Sequence, residues 1–427
     1  MKISEFPKVV VTENVNYAVK EITNIIKRYG PRESGNSNCY ATQKHLKKEM
    51  DTFCDETGFE EYPLAPKAFL HFTKTVSLLF IAAVVIPLLL VFLNVFHGVG
   101  PNVFFVPQII AGAAALISVC VAAIQLGLYL PMCDVFYKKQ PAHNFYAVRK
   151  PSGETKKRII VCGHVDAAYE WRHLLYSKHV SLMFPLMGWT IVGALLSIIV
   201  AIIAIAASFK DMGTFGEWMV NYGFYIHFFT ALAMITLFYF VDFSTISPGA
   251  NDNLTGTYAA VCAIRMLDMA GVELKQTEVV AMITDGEEAG LKGTKAWAKA
   301  HKDEYANEDI ETSVLCVDTL CDMDYFNVYS RDMNSLVKND KEFSDFVLAA
   351  GADAGYEDMK LGSVFMGSSD AAAFSQAGIR CTALAAMDPS PADYYHNRRD
   401  NYDRLNPEAI EAGFKVVLST ILKLDAE

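Results

Sequence analysis

Four long apolar segments constrain this chain more than any other feature of its sequence. They span residues 76–96, 98–133, 180–209 and 218–241, and His227 is the only ionisable side chain among them apart from cysteine and tyrosine. Each segment reaches the roughly 20 residues that a helix needs to cross a bilayer. The composition agrees, because 52% hydrophobic residues and a mean hydropathy of +0.21 are too apolar for an ordinary soluble enzyme. The sequence therefore predicts four transmembrane α-helices.

The spacing of the segments predicts two hairpins, with short links at residues 97–102 and 210–217. An even number of crossings returns the chain to the same side of the membrane each time. The polar portions can therefore form one domain on one side. The predicted organisation is three polar portions, 1–70, 133–179 and 242–427, separated by transmembrane hairpins at 71–132 and 180–241.

Positive charges near the predicted crossings indicate the orientation. Only Lys210 lies on the side of the hairpin tips, whereas the polar side has Lys67, Lys74, Lys138, Lys139, Arg149, Lys150, Arg172 and Lys178. Because Lys and Arg are enriched on the cytoplasmic side, we expect an integral cell-membrane protein whose polar domain faces the cytoplasm. An odd number of cysteines, nine, and an N-terminus without the apolar core of a signal peptide agree with that side. A net charge of -11 argues against nucleic acid as a partner.

Strands and helices alternate in the polar portions. Short β-branched or apolar runs occur in KKRIIVCGHVD, TEVVAMITDGEE, TSVLCVDTL and CTALAAMD, and helical patterns cover residues 256–270, 291–301, 343–350 and 407–424. This alternation predicts an α/β fold with a mostly parallel or mixed central sheet and helices on both faces. In such sheets ligands bind beyond the carboxyl ends of the strands.

Acidic and imidazole side chains cluster at those expected strand ends. Each follows a predicted strand or lies in a loop beside one: His164, Asp166, Asp252, Asp285, Glu287, Glu288, Asp318 and His396. Carboxylates converging at one sheet edge would repel one another unless cations bind there. Two imidazoles among them favour zinc over magnesium or calcium.

The order of these motifs resembles a known family. H-V-D, G-A-N-D-N-L-T-G, D-G-E-E-A-G-L-K-G-T, V-D-T, S-S-D and H-N-R-R-D-N-Y-D are similar to motifs of the co-catalytic di-zinc aminopeptidases, whose relatives include glutamate carboxypeptidase, glutaminyl cyclase and the metal-free transferrin receptor. Residues 25–37 also resemble that family's N-terminal helix and loop. The resemblance covers the polar portions, excludes the apolar segments, and implies a zinc exopeptidase-like fold.

The resemblance implies a role for each residue that it covers. Two zinc ions would be bridged by Asp252 and completed by two pairs of ligands, His164 with Asp318 and Glu288 with His396. Glu287 would be the general base that takes a proton from water and passes it to the leaving amine. Asp166 would orient His164.

The chain departs from the family pattern at two positions. Ala371 stands where the family often has the histidine of S-D-H, which leaves Asp370 as a weak pocket candidate, and Asn397 stands where threonine is common. Either Tyr394 or Tyr395 could donate a hydroxyl to the oxyanion, although simple packing accounts for them equally well.

The resulting expectation is a membrane-anchored zinc exopeptidase, most simply an aminopeptidase, that hydrolyses a peptide or small amide bond. One alternative is an amidohydrolase or a glutaminyl-cyclase-like enzyme on the same scaffold. Another is a non-enzymatic membrane receptor or binding module, against which the presence of all five ligands argues. Besides the bilayer, a second copy of the chain is a partner compatible with the apolar helices.

Overall fold

The computed structural model describes residues 1–93, 101–176, 182–306 and 309–427. The chain divides into two compact units. Met1–Pro66, Lys138–Glu170 and Ser244–Glu427 form the first, which we call the α/β unit. Lys67–Tyr137 and Trp171–Phe243 form the second, which we call the helical unit.

The α/β unit is built on a mixed sheet. Its strands are β1 (Glu56–Leu64), β2 (Gln140–Arg149), β3 (Lys157–His164), β6 (Thr277–Thr284), β7 (Glu311–Leu320), β8 (Phe326–Asp332), β9 (Val337–Lys338), β10 (Leu361–Ser363) and β11 (Cys381–Ala386). Two short strands, β4 (Tyr169–Trp171) and β5 (Val241–Ile246), lie where the chain passes between the units. Among the described residues the order is β1-β2-β6-β3-β7-β11-β8-β10, with β9 paired to β8. The central strands β6, β3, β7 and β11 run parallel, whereas β2 and β8 are antiparallel to their inner neighbours. The predicted α/β class with a mixed sheet is confirmed.

Helices cover both faces of this sheet, as predicted. They are α1 (Lys8–Tyr29), α2 (Ser37–Met50), α9 (Gly256–Met269), α10 (Lys292–Tyr305), α11 (Lys341–Asp353), α12 (Asp370–Gln376) and α13 (Pro407–Ala426). Alternate residues of β3 enter different cores: Ile159 and Val161 pack with α1, α9 and α13, whereas Ile160 and Cys162 pack with α10 and α12. A strand buried on both faces explains why this segment reads as a continuous apolar run.

The first apolar insertion occupies the place of a turn between two paired strands. β1 and β2 are antiparallel neighbours, and Leu64, the last residue of β1, pairs with Gln140, the first residue of β2. A similar closure holds the second insertion, because Ser247 N donates a hydrogen bond to Ala168 O at 2.8 Å. The chain therefore leaves and re-enters the α/β unit at adjacent points, so both insertions leave its sheet continuous.

The helical unit contains α3 (Ala68–Phe92), α4 (Phe105–Ala122), α5 (Arg172–Leu175), α6 (Met183–Phe209), α7 (Gly213–Tyr222) and α8 (Ile226–Phe238). Within the described residues, four helical stretches are long and apolar enough to cross a membrane: Ala68–Phe92, Phe105–Gly127, Met183–Phe209 and Gly213–Phe238. Several predicted features lie partly or wholly outside the described residues: the end of the segment 76–96, part of the link 97–102, the start of the segments 98–133 and 180–209, and the predicted cytoplasmic Lys178.

The fourth stretch differs from its prediction. One helix was expected over residues 218–241, but a 3₁₀ turn at Gly223–Tyr225 separates α7 from α8. Gln108 of α4 contacts this turn, because its Nε2 donates to Val220 O at 3.2 Å. A Cβ on Gly223 would lie 2.9 Å from Gln108 Oε1, so the glycine allows this approach. The break is a tertiary feature that apolar composition does not encode.

Small residues let α4 and α6 lie close together. A Cβ built on Gly112 would lie 2.2 Å from Ala201 Cβ and 3.3 Å from Ser197 O. Between α6 and α8, Ser197 Oγ donates to Thr230 Oγ1 at 2.9 Å, and Thr230 donates to Gly193 O at 2.8 Å. Small residues with hydroxyl bonds are the usual means of packing helices in lipid.

Candidate metal centre

The candidate ligands meet at one edge of the sheet, where the parallel strands end. His164 is the last residue of β3, and Asp318 lies near the end of β7. Glu287 and Glu288 follow β6, whose last residue, Thr284, pairs with His164. Asp252 lies in the segment Ala250–Thr255 that precedes α9, where its own backbone angles are not helical (φ -110°, ψ 90°), and His396 lies in the loop after β11. This is the sheet edge at which the sequence predicted a site.

His164 is the centre of the first group of candidate ligands. Its Nε2 atom lies 3.4 Å from Asp252 Oδ1, 3.9 Å from Asp318 Oδ1 and 3.9 Å from Glu287 Oε2. His164, Glu287 and Asp318 each offer a ligand atom within 4.8 Å of the other two. His164 Nε2 is buried and has no hydrogen-bond partner among the described residues. A buried imidazole nitrogen surrounded by carboxylate oxygens in this way matches a cation site.

His396 is the centre of the second group. Its Nε2 atom lies 3.3 Å from Asp252 Oδ2 and 3.5 Å from Glu288 Oε2. These three residues also offer ligand atoms within 4.8 Å of one another. The two oxygens of Asp252 therefore face different histidines, Oδ1 facing His164 and Oδ2 facing His396. This is the placement that the resemblance implied for a bridging carboxylate.

Asp166 contacts both neighbouring glutamates through their backbone. Its Oδ1 accepts from Glu287 N at 3.3 Å, and its Oδ2 accepts from Glu288 N at 3.1 Å. His164 Nδ1 lies 3.1 Å from the backbone carbonyl oxygen of Asp166 and 3.5 Å from its Oδ1. Asp166 thus lies beside His164, as its predicted orienting role requires, and it also accepts hydrogen bonds from the turn that presents Glu287 and Glu288.

Asp400 supports the Asp252 loop, although sequence reasoning gave it no role. Its Oδ1 accepts from Asn251 N and Asn251 Nδ2, both at 2.9 Å, and its Oδ2 accepts from Asp252 N at 3.0 Å. The available signal was its place four residues after His396 in H-N-R-R-D. One motif therefore supplies both a candidate ligand and the support of another.

The N-terminal loop after α1 forms a second support. Buried Arg32 donates from Nε to Val165 O and from Nη2 to Gly249 O, both at 2.8 Å, and so joins the loops that follow His164 and precede Asp252. Ser34 Oγ donates to Asp166 Oδ2 at 2.6 Å. The resemblance over residues 25–37 indicated this loop but no individual residue in it.

The weaker pocket candidates have other partners. Asp370 is buried and accepts from the hydroxyls of Thr284, at 2.8 Å, and Thr294. Tyr394 donates its hydroxyl to Asp322 Oδ2 at 2.8 Å. The ring of Tyr395 stacks on the His396 ring with centroids 3.8 Å apart. None of the described contacts directs the Tyr394 hydroxyl toward either group of ligands.

Burial disfavours ionisation of several carboxyls in the centre. It raises the pKa of Glu287 and of Glu288 well above their ordinary value, and neighbouring carboxylates raise both further. Burial likewise raises the pKa of Asp318 to about 7, although His164 opposes that shift. These acids cannot all ionise together unless positive charge is added nearby.

The pKa values of His164 and Asp252 are shifted because each group lies beside groups of opposite charge. Burial disfavours protonation of His164, but the carboxylates of Glu287, Asp166 and Asp252 outweigh it and raise the pKa of His164 well above its ordinary value. Burial also opposes ionisation of Asp252, yet the nearby imidazoles of His164 and His396 outweigh it and lower the pKa of Asp252.

Zinc fits both groups by donor chemistry and by size. Each group combines one imidazole with carboxylates, which are common zinc ligands at about 2.0–2.2 Å. Two ligand atoms at that distance from one ion are at most about 4.4 Å apart. The separations of 3.3–3.9 Å from the two imidazole nitrogens lie within this limit.

Comparisons with known proteins agree with this chemistry. The model of peptidase family M28 matches residues 236–421, which contain every candidate ligand except His164. A sequence search of curated proteins gave no significant match.

Solved structures share the fold at low sequence identity. A Zn-dependent exopeptidase from Parabacteroides distasonis is 13% identical with a TM-score of 0.53, over 95% of this chain and 97% of that chain. A glutaminyl cyclase from Bacteroides thetaiotaomicron is 12% identical with a TM-score of 0.53 and the same coverage. A zinc aminopeptidase from Bacillus subtilis is 12% identical with a TM-score of 0.52, over 96% of this chain and 94% of that chain. The M28 match and the shared fold support a zinc metallopeptidase with a zinc exopeptidase-like fold.

Proposed function

We propose that the protein is an exopeptidase, most simply an aminopeptidase, that binds two zinc ions. The observation that carries this proposal is the position of Asp252, whose two oxygens face His164 and His396 at 3.4 and 3.3 Å. A carboxylate shared between two ions offsets their repulsion. His164 and Asp318 would complete one site, and Glu288 and His396 the other.

Bound zinc would polarise the substrate carbonyl and lower the pKa of water. Glu287 is the proposed general base. Its Oε2 lies 3.9 Å from His164 Nε2, and Asp252 Oδ1 is nearer to that nitrogen at 3.4 Å. Asp318 Oδ1 lies at the same 3.9 Å as Glu287, so the family resemblance, and not distance, assigns Asp318 as the ligand and Glu287 as the base that takes the proton of the attacking water. Glu287 then passes that proton to the leaving amine, while Asp166 holds the backbone of Glu287 in place.

The variant Glu287→Gln tests this assignment. It removes the base but leaves all five proposed ligands, so zinc content should stay at about two per chain while kcat falls by about 10²–10⁴-fold. Zinc is measured by elemental analysis, and kcat with peptide and acyl-amide libraries on the detergent-solubilised protein. Exposed Glu357 provides a control, because Glu357→Gln makes the same chemical change away from the centre.

Full activity of Glu287→Gln would exclude Glu287 as the base. Loss of zinc from the same variant would instead make Glu287 a ligand, since it also lies within the first group. A wild-type protein that binds no zinc at neutral pH would remove the hydrolytic mechanism altogether.

A glutaminyl-cyclase-like reaction is the second candidate, because glutaminyl cyclases are among the proteins with the same fold. The two reactions differ in the fate of water. Hydrolysis in H₂¹⁸O adds one labelled oxygen to the acyl product, whereas cyclisation of an N-terminal glutamine releases ammonia and adds none. Mass spectrometry of the products separates the two.

We also propose that both hairpins span the cell membrane and that the α/β unit faces the cytoplasm. Support comes from the four apolar helices and from the excess of Lys and Arg on the α/β side of the predicted crossings. Introduced cysteines test the orientation. An impermeant thiol reagent should label Lys210→Cys in intact cells and should label Glu357→Cys only after lysis, and the reverse pattern would overturn the assignment.

A further inference from the structure

His396 lies in a loop whose backbone needs outside support. Its φ is +49°, in the left-handed region that non-glycine residues adopt at a cost in free energy. The ligand atom of His396 lies within 3.5 Å of both Asp252 and Glu288, so a small movement of the loop would displace it from the second group. Contacts that hold the loop therefore bear directly on metal binding.

Glu170 holds this loop two residues beyond His396. Its Oε1 accepts from Arg398 Nη2 at 2.6 Å and its Oε2 from Arg398 Nε at 2.7 Å, which makes a two-bond contact with the guanidinium. The same Oε2 accepts from the backbone N of Arg398 at 3.3 Å. Glu170 thus fixes both the side chain and the backbone of its partner, which a surface ion pair does not do.

The burial of the two partners is unequal. The side chain of Glu170 is 1% exposed, whereas that of Arg398 is 57% exposed. Because Glu170 is buried and Arg398 is half-exposed, we take Glu170 as the fixed partner, which holds the loop that carries Arg398. The unequal burial also means that removing the carboxylate leaves an arginine that water can solvate, so the fold should tolerate the change.

The same loop also contacts the stretch of chain just after the second insertion. Ser247 Oγ donates to Asn397 O at 3.0 Å, and Ser247 N donates to Ala168 O. Glu170 is the last residue of the α/β unit before this insertion, and Ser247 is the fourth residue after it. The His396 loop is therefore bound to both stretches of chain that connect the insertion.

We propose that Glu170 is a positioning residue for the second zinc site. Through Arg398 it holds His396 where its Nε2 can share a cation with Asp252 and Glu288. The proposal rests on the two-zinc function proposed above. It adds that the zinc affinity of the second site, but not of the first, depends on the stretch of chain that leads into the second apolar insertion.

The test is the variant Glu170→Gln, studied as the full chain in detergent. Metal-free protein is titrated with Co²⁺, and binding is followed by calorimetry and by the visible absorption of the bound ion. Wild-type protein should bind two ions. In Glu170→Gln the ion at the second site should bind about 10–100-fold more weakly with an altered absorption band, while the first site keeps its affinity.

Asp393→Asn is the matched control. Arg404 Nη2 and Asp393 Oδ2 form an ion pair 2.7 Å apart in the same loop, but both side chains are more than 40% exposed. Removing an exposed pair costs little, so both Co²⁺ affinities should stay within about twofold of the wild type. A similar loss in this control would mean that any disturbance of the loop weakens the site.

A second variant, Arg398→Lys, covers the case in which Glu170→Gln does not fold. Lysine keeps the charge but loses the planar two-bond contact, so the Co²⁺ affinity of the second site should fall below that of the wild type while the first site keeps its affinity. Unchanged affinity at the second site in a folded Glu170→Gln protein would overturn the positioning role alone. Wild-type protein that binds fewer than two ions would instead contradict the two-zinc function.

Discussion

The two units bury polar groups in opposite ways. The α/β unit buries whole carboxylates and imidazoles, among them Asp166, Asp252, Asp400 and His164, and joins them across distant parts of the chain. The helical unit buries mainly hydroxyls and amides beside the imidazoles of His173 and His227, and many of its hydroxyls bond to a carbonyl within the same helix, as Ser77 Oγ does to Thr73 O. The helices otherwise contact one another through close packing of small residues.

This difference teaches what each unit requires of its residues. In the α/β unit a polar side chain fixes the position of another element, so its loss should affect a distant ligand. In the helical unit the shape of the contacting side chains determines which helices lie close together. The loss of one hydroxyl should therefore change the free energy of unfolding only a little. Four substitutions test this contrast, from the largest expected effect to the smallest.

Asp252→Asn should have the largest effect. The amide nitrogen cannot ligate a cation, and one of the two oxygens that face the histidines is lost. Zinc content should fall below about one per chain, and kcat/KM should fall by about 10³-fold, since metal stabilisation of developing charge contributes several kcal/mol. Elemental analysis and peptide assays measure both. Retention of two zinc ions would show that this carboxylate is not shared.

Asp400→Asn should come next. Both Asp400 oxygens accept from nitrogen donors of the Asp252 loop, so an amide would direct its NH₂ group at one of them. Zinc affinity should fall about 10–100-fold, as is typical when a partner of a ligand loop is lost. Competition with a chromophoric chelator measures the change. Wild-type zinc affinity in Asp400→Asn would mean that the Asp252 loop keeps its position without Asp400.

Gly112→Leu should act on the helical unit alone. Even the Cβ would overlap Ala201 on α6, and overpacking typically costs about 1–3 kcal/mol. Thermal unfolding in detergent should occur at a lower temperature than in the wild type. Gly188→Leu is the control, because no heavy atom lies within 4 Å of a Cβ built at that glycine. Equal effects of the two would argue against close packing at Gly112.

Thr230→Val should have the smallest effect. It removes the hydroxyl that joins Ser197 to Gly193 O but keeps the shape of the side chain. Hydrogen bonds between transmembrane helices contribute about 0.6 kcal/mol on average. The shift in unfolding temperature should therefore be smaller than for Gly112→Leu. A larger shift would show that hydroxyl bonds, and not shape, hold α6 to α8.

Much of the α/β fold could be predicted because its central strands are buried on both faces. The strands around Ile160, Val280, Leu315 and Leu384 read as continuous apolar runs, and each of them was predicted. β1 was not predicted, because ETGFEEYPL has neither an apolar run nor a clean alternation. Its partner β2 is separated from it in sequence by the whole first insertion, so no local pattern connects the two.

The candidate ligands could be predicted because each lies at the end of a predicted strand or in a loop beside one and carries a distinctive side chain. Their supports could not, since Arg32, Asp400 and Glu170 act through contacts between distant segments. The broken fourth helix has the same cause. Hydropathy averages over residues 218–241 cannot register that Gln108, on another helix, bonds to Val220 O beside Gly223.

The pairing of Leu64 with Gln140 has a consequence for the order of folding. Two strands so far apart in sequence would ordinarily meet slowly, because closing a long flexible loop costs entropy. Once the intervening segment has folded as a helical hairpin, its two ends are already neighbours. The edge of the sheet then forms like a tight turn, so we expect folding of the first apolar hairpin to precede, and to accelerate, completion of the sheet that carries the candidate ligands.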